Sequence, residues 1–172
     1  VIISRTGFTN ELGWEIYFRP ENNAEKLGDL ILDEGKKMGM IITGTPSFRG
    51  RRIEAGLLSA GQDFTSDTNP FSVGLGRFVD LEKDNFIGKK ALINADKECR
   101  SWGIRVVDGI AKKGRSIKFN NQCIGKVTSS TWSPYQVCGV GIVLLDKSDL
   151  GPKTIVDVEC TDKKIHKACC RD

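Results

Sequence analysis

The stretch Ser116-Ile117-Lys118-Phe119-Asn120-Asn121-Gln122-Cys123-Ile124-Gly125-Lys126-Val127-Thr128-Ser129 holds two β-rich runs, Ser116 to Phe119 and Cys123 to Ser129, around a turn signal at Asn120-Asn121. Asparagine tolerates the backbone conformations that a tight reversal needs, so the pair predicts a strand, a turn and a strand. The rhythm extends outward. Trp102 to Val107 lies before it, across a turn at Lys112-Lys113-Gly114, and Gln136 to Leu145 and Thr154 to Cys160 lie after it. Short strands at this spacing predict a small antiparallel barrel or sandwich. The pattern begins near Lys97, which predicts one domain over residues 1–97 and a second over 98–172.

The first part reads differently. Val1 to Arg5 and Trp14 to Phe18 predict two strands joined by the turn-rich segment 6–13. Period-2 alternation puts Trp14, Ile16 and Phe18 on one face and Glu15 with Tyr17 on the other. A helix is predicted from Pro20-Glu21-Asn22, with Asn22 and Glu25 resembling a capping box, apolar positions at Leu27, Leu30, Ile31 and Met38, and Gly39 as its stop. A second helix is predicted from Thr45 as cap, with Pro46 in its first turn, to Ala55 and a stop at Gly56. Gly61 to Val73 reads as an irregular loop, Leu75 to Leu81 as a strand and Phe86 to Asn94 as a short helix.

Composition excludes several function classes. The chain has 172 residues, 39% of them hydrophobic and 28% charged, with 26 basic against 22 acidic residues. A net charge of +4 with the basic residues scattered among acidic ones gives no electrostatic stripe, so no nucleic-acid partner is expected. Neither a charged leader nor a run of about 18 apolar residues is present, so no membrane partner is expected. The chain opens at Val1 directly into an apolar run, which suggests a piece of a longer protein. Six cysteines without a C-x-x-C pair, and a single histidine at His166, give no zinc spacing and no metal site. They fit mostly buried free thiols in a reducing cytoplasm. The adjacent Cys169 and Cys170 are expected to be frayed and without a role.

No nucleophile–base pair can be assembled, and Gly74-Leu75-Gly76 runs into Arg77-Phe78-Val79, so a dinucleotide fingerprint fails at its third glycine. No catalytic residue is assigned within the chain. Two features stand out as candidate sites. A carboxylate at Glu15, beside Tyr17 on one strand face, can accept two hydrogen bonds from a planar N–H edge such as that of a pterin or guanine. The alternative is an exposed glutamate on a solvated face. Arg49, Arg51 and Arg52 place three cations near the predicted start of the second helix, against its dipole. That arrangement calls for anions nearby, from Glu54, Glu11, Asp63 or a ligand tail.

The order of motifs carries a resemblance. Ser4-Arg5-Thr6-Gly7-Phe8-Thr9-Asn10-Glu11-Leu12-Gly13-Trp14-Glu15-Ile16 resembles the S-R-T-G-Y-T-G-E-x-G-[YFW]-E segment of the glycine-cleavage T-protein (aminomethyltransferase) family. Arg52-Ile53-Glu54-Ala55-Gly56-Leu57 resembles its R-L-E-A-G-L, and Gly61-Gln62-Asp63, Pro70 and Gly74-Leu75-Gly76 follow in the family's order. Phe86-Ile87-Gly88-Lys89-Lys90-Ala91-Leu92 is similar to F-I-G-[KR]-x-A-L, and Gly125-Lys126-Val127-Thr128-Ser129 with Ser133-Pro134 to G-x-V-T-S-G-x-x-S-P.

This resemblance implies an α+β chain: the C-terminal part of a folate-binding domain, a mixed sheet with helices, followed by a small antiparallel β-barrel. It implies tetrahydrofolate as cofactor, with Glu15 on the pterin, Tyr17 lining the same pocket and Arg49 as a further candidate. The family's catalytic aspartate falls outside the chain. Phe48 stands where the family has an arginine, and Ser72 where it has a glutamate. The Asn69-Pro70-Phe71 and Gly56-Leu57-Leu58-Ser59 stretches look closer to relatives that demethylate dimethylsulfoniopropionate. The implied partner is therefore a small one-carbon donor, an amine or a sulfonium. A non-catalytic folate binder of the same fold is the alternative, and uncovered apolar surface implies self-association.

Overall fold

A computed structural model describes residues 1–147 and 150–171. Its contacts divide the chain into two compact units, Val1–Leu57 and a second one from Leu58 onward.

The first unit contains β1 (Ile2–Ser4), β2 (Glu15–Tyr17), α1 (Ala24–Lys37) and α2 (Thr45–Glu54). The two strands pair antiparallel, with Ser4 opposite Glu15 and Ile2 opposite Tyr17. Alternation holds as expected: Arg5 stacks on Trp14, 4.9 Å from the ring centroid, while the Tyr17 hydroxyl reaches Glu15 across the other face.

Both helix ends follow from their glycines. Gly39 has φ +79 and Gly56 φ +70, the left-handed conformation that costs glycine least. Each closes a Schellman motif: Met40 N donates to Gly35 O and Gly39 N to Lys36 O, and Leu57 N donates to Arg52 O and Gly56 N to Ile53 O. The helix starts differ from expectation by one residue. Asn23, not Asn22, caps α1 by accepting from Lys26 N at 2.8 Å; Asn22 Oδ1 instead accepts from Arg19 N. The cap of α2 is Gly44, so Thr45 is already helical. Because α2 ends at Glu54, Arg51 and Arg52 fall in its last turn, where the dipole favours cations. The predicted conflict with the dipole therefore does not arise for these two.

The second unit is built on a closed six-stranded barrel: β3 (Ser101–Val106), β4 (Ser116–Phe119), β5 (Gln122–Ser133), β6 (Cys138–Leu145), β7 (Ile155–Glu159) and β8 (Ile165–Arg171), in the order β3-β6-β5-β4-β7-β8. All neighbours are antiparallel, and β8 returns to β3. The Asn120-Asn121 turn has φ +49 and +62, as a two-residue hairpin between twisted strands requires. Inward positions form a continuous apolar ring: Ile104 and Val106 face Cys170 and Ala168 across the β3–β8 seam, and Val127 lies opposite Val143. Each fully buried Val or Ile contributes about 1.5–3 kcal/mol.

Two expectations are corrected in this unit. Leu75 to Leu81 is not a strand; Gly76–Phe78 forms a 3-10 turn. Cys169 and Cys170 are not frayed but lie in β8, and Cys170 is fully buried in the core. The strand gave little signal because the core positions it supplies are filled by the small Ala168 and Cys170, which lie opposite Val106 and Ile104 on β3.

The segment from Leu58 to Cys99 groups with the barrel and includes α3 (Lys89–Asn94). A bulge between Val127 and Ser129 leaves Thr128 out of the ladder. Its buried hydroxyl lies 2.7 Å from Asp63 Oδ1 and 3.0 Å from the Ile142 carbonyl oxygen, which ties the Ser59–Phe64 turn to the barrel wall. A Cβ at Gly139 would collide with the Gly109 carbonyl oxygen, so this position needs glycine. No helix among the described residues is long and apolar enough to cross a membrane.

Candidate functional site

The carboxylate of Glu15 gathers hydroxyl groups in the first unit. Antiparallel pairing sets Ser4 opposite it, and Thr6, two residues on, points to the same face. The Thr6 hydroxyl donates to Glu15 Oε2, and the Tyr17 hydroxyl donates to the same oxygen at 2.8 Å. Thr6 Oγ1 also lies 3.2 Å from Ser4 Oγ, so hydroxyls on both strands converge on one carboxylate. Oε1 has no partner among the described residues.

These contacts set the charge. The Thr6 and then the Tyr17 hydrogen bond hold the Glu15 carboxyl below its ordinary value of 4.5, while slight burial works the other way. The same bond from Glu15 raises Tyr17 above 10.0, because losing the phenolic proton would leave two anions in contact. At neutral pH the pair is a carboxylate and a phenol. The site presents one fixed oxygen and one open acceptor.

Arg49 sits on α2, exposed, with no ion pair among the described residues. Among the described residues it makes no hydrogen bond or ion pair with Glu15 or Tyr17. The anions predicted for the arginine cluster go elsewhere: Arg51 pairs with both Glu11 and Glu54. Arg52 is buried and donates to the Leu57 carbonyl at 2.9 Å. Phe48 packs on Phe8, with ring centroids 5.8 Å apart. Thus Glu15 and Tyr17 come together, Arg49 is not bonded to them, and Thr6 is the partner of Glu15 that sequence reasoning missed. The signal for it was the spacing: Thr6 follows Ser4, which pairs with Glu15, by two residues.

A separate cleft of about 540 Å³ lies within the second unit, lined in part by Asp67, Arg100, Lys126 and Asp146. No cluster of metal-ligating side chains occurs among the described residues.

Comparison with known proteins decides the family. Residues 1–83 match the model of the GCVT N-terminal domain, and residues 100–171 match that of the glycine cleavage T-protein C-terminal barrel domain. The chain belongs to the glycine-cleavage T-protein family. Among similar members is an aminomethyltransferase of Caldanaerobacter subterraneus subsp. tengcongensis, 37% identical over 149 residues, covering 84% of this chain and 40% of the relative. Another, from Halalkalibacterium halodurans, is 37% identical over 164 residues and covers 92% of this chain and 45% of the relative. The crystal structure of the glycine cleavage system aminomethyltransferase T from Bartonella henselae is similar over 99% of this chain and 48% of its own, at 27% identity and a TM-score of 0.85. The chain therefore spans less than half the length of these T-protein relatives.

Proposed function

We propose that this chain is part of a tetrahydrofolate-dependent one-carbon transferase, and that Glu15 holds the hydrogen-bonding edge of the pterin. The observation that carries this reading is the ionised Glu15 carboxylate, oriented through Oε2 by Thr6 and Tyr17 and open at Oε1. The residues fit the group: an oriented anionic acceptor suits an edge rich in N–H donors. Because Oε2 already accepts two hydroxyls, the first contact falls on Oε1. A two-point grip then requires Thr6 or Tyr17 to release Oε2. Tyr17 lines the pocket as a neutral donor, and Arg49, a cation without a protein partner among the described residues, is available to the folate's acidic tail. Tetrahydrofolate supplies the nitrogen that accepts the one-carbon unit. The donor is a small amine or sulfonium, and family membership makes an aminomethyl donor the first to try. Calorimetry of tetrahydrofolate binding to the protein and to Glu15→Gln tests the assignment. Affinity is expected to fall about tenfold, and equal affinities would remove Glu15 from the site.

Family membership also favours a soluble, cytoplasmic setting for this chemistry, and the exposed Ile2, Ile3, Trp14 and Ile16 favour self-association of the chain. Analytical ultracentrifugation reads the latter directly, and a single monomeric species across a wide concentration range would dismiss it.

A further inference from the structure

The cleft on the barrel is chemically unlike the Glu15 face. One wall is a cross-strand row on the outside of the barrel, where Ser116 lies opposite Lys126 and Lys126 opposite Leu144. The loop bearing Asp67 and Ser72 supplies another part of the lining, and Arg100 and Asp146 sit where β3 begins and β6 ends. Backbone hydrogen bonds fix this frame. Arg100 N donates to Ser72 O at 2.7 Å, Leu145 N to Arg100 O at 2.9 Å and Asp146 N to Ile124 O at 2.8 Å. The cleft is therefore formed before any ligand arrives, and its volume of about 540 Å³ lies within the range of small-molecule sites, about 300–1,000 Å³.

Its charges are mixed, and three of the four are unused among the described residues. The side chains of Lys126, Asp67 and Asp146 make no ion pair or hydrogen bond among the described residues, although all three line the same space. Arg100 engages Asp96 through Nη2, and its buried Nε has no partner. An anion alone would meet two carboxylates here, and a cation alone would meet two basic groups. Only a ligand carrying both signs satisfies the whole lining.

We propose that this cleft binds a small zwitterion of the α-amino-acid type. The carboxylate faces Lys126 and Arg100, and the ammonium faces Asp67 and Asp146. Charge-assisted hydrogen bonds at both poles give the site its selectivity over singly charged analogues.

The test is an NMR titration of the ¹⁵N-labelled chain with L-alanine, following the Gly114 and Gly125 amides that line the cleft. Acetate and methylammonium serve as single-charge controls. Saturable shifts with L-alanine are expected, with either control at least about fivefold weaker. Lys126→Met and Asp146→Asn are each expected to weaken L-alanine binding about tenfold. Both side chains are exposed, so the same spectra report that the fold is intact, and Asp67→Asn is the replacement if either variant is perturbed. Shifts that stay linear in L-alanine overturn the proposal. So does saturable binding that the substitutions leave unchanged, or acetate binding as tightly as L-alanine.

Discussion

The two units hold their shapes by different means. In the barrel, Ile117, Val143 and Cys160 are completely enclosed, and every strand contributes to one apolar ring. In Val1–Leu57, Arg52 and Ile53 are the only buried residues, and α1 buries none of its apolar stripe. Two strands of three residues each are marginal without a further layer. What organises the first unit is mostly local: two Schellman caps, one Asn cap, and hydroxyls gathered on Glu15. The difference teaches where stability and binding reside. The barrel is stabilised by area removed from water, whereas the candidate folate face is held by a few oriented polar contacts that leave an acceptor open.

The largest way to test this contrast is a pair of truncations. Ile117→Ala is expected to cost about 2–5 kcal/mol in urea unfolding, because a fully buried side chain leaves a cavity. Ile16→Ala, on an exposed stretch of β2, is expected to stay within about 0.5 kcal/mol. Equal losses at the two sites would break the contrast. Next comes the tie between the Ser59–Phe64 turn and the barrel. Thr128→Val keeps the shape but removes the hydroxyl between Asp63 and the Ile142 carbonyl, and about 1–3 kcal/mol is expected to be lost. A neutral result would show that the turn does not depend on that bond.

The smallest effect is pH-dependent. Burial pushes the Cys170 thiol from 9.0 up to about 11. Because the folded value is raised, its contribution is fully present below pH 9.0 and is lost as pH rises toward about 11. Cys170→Ala is expected to flatten the fall in unfolding free energy over that window. An unchanged alkaline limb would place the titration elsewhere. Glu15 has the opposite sign: its lowered carboxyl stays ionised into mild acid, so folate binding through it is expected to persist until pH falls below its ordinary 4.5.

Local chemistry made much of this legible in the sequence. Ser116 to Phe119 is a strand with the predicted bounds, Asn120-Asn121 is the turn, and Gly39 and Gly56 end their helices. In each case a few neighbouring residues fix the backbone. Glu15 and Tyr17 share a face because period 2 is a property of any strand. The motifs in order carried the family.

What the sequence could not show was decided by partners far along the chain. Ile165–Arg171 is a strand because β3 and β7 offer it two edges to pair with, not because His166, Ala168 and Cys170 form an apolar pattern of their own. Leu75 to Leu81 has the apolar content of a strand, yet Gly76–Phe78 closes as a 3-10 turn. Arg51 is occupied, and Arg49 has no ion pair among the described residues, because Glu11, distant in sequence, reaches the one and not the other. Spacing and propensity act over a few residues, whereas hydrogen-bond partners and enclosure are set by which remote segments meet. For that reason the elements could be read from the sequence alone, but the closure of the barrel and the state of each charge required the tertiary structure.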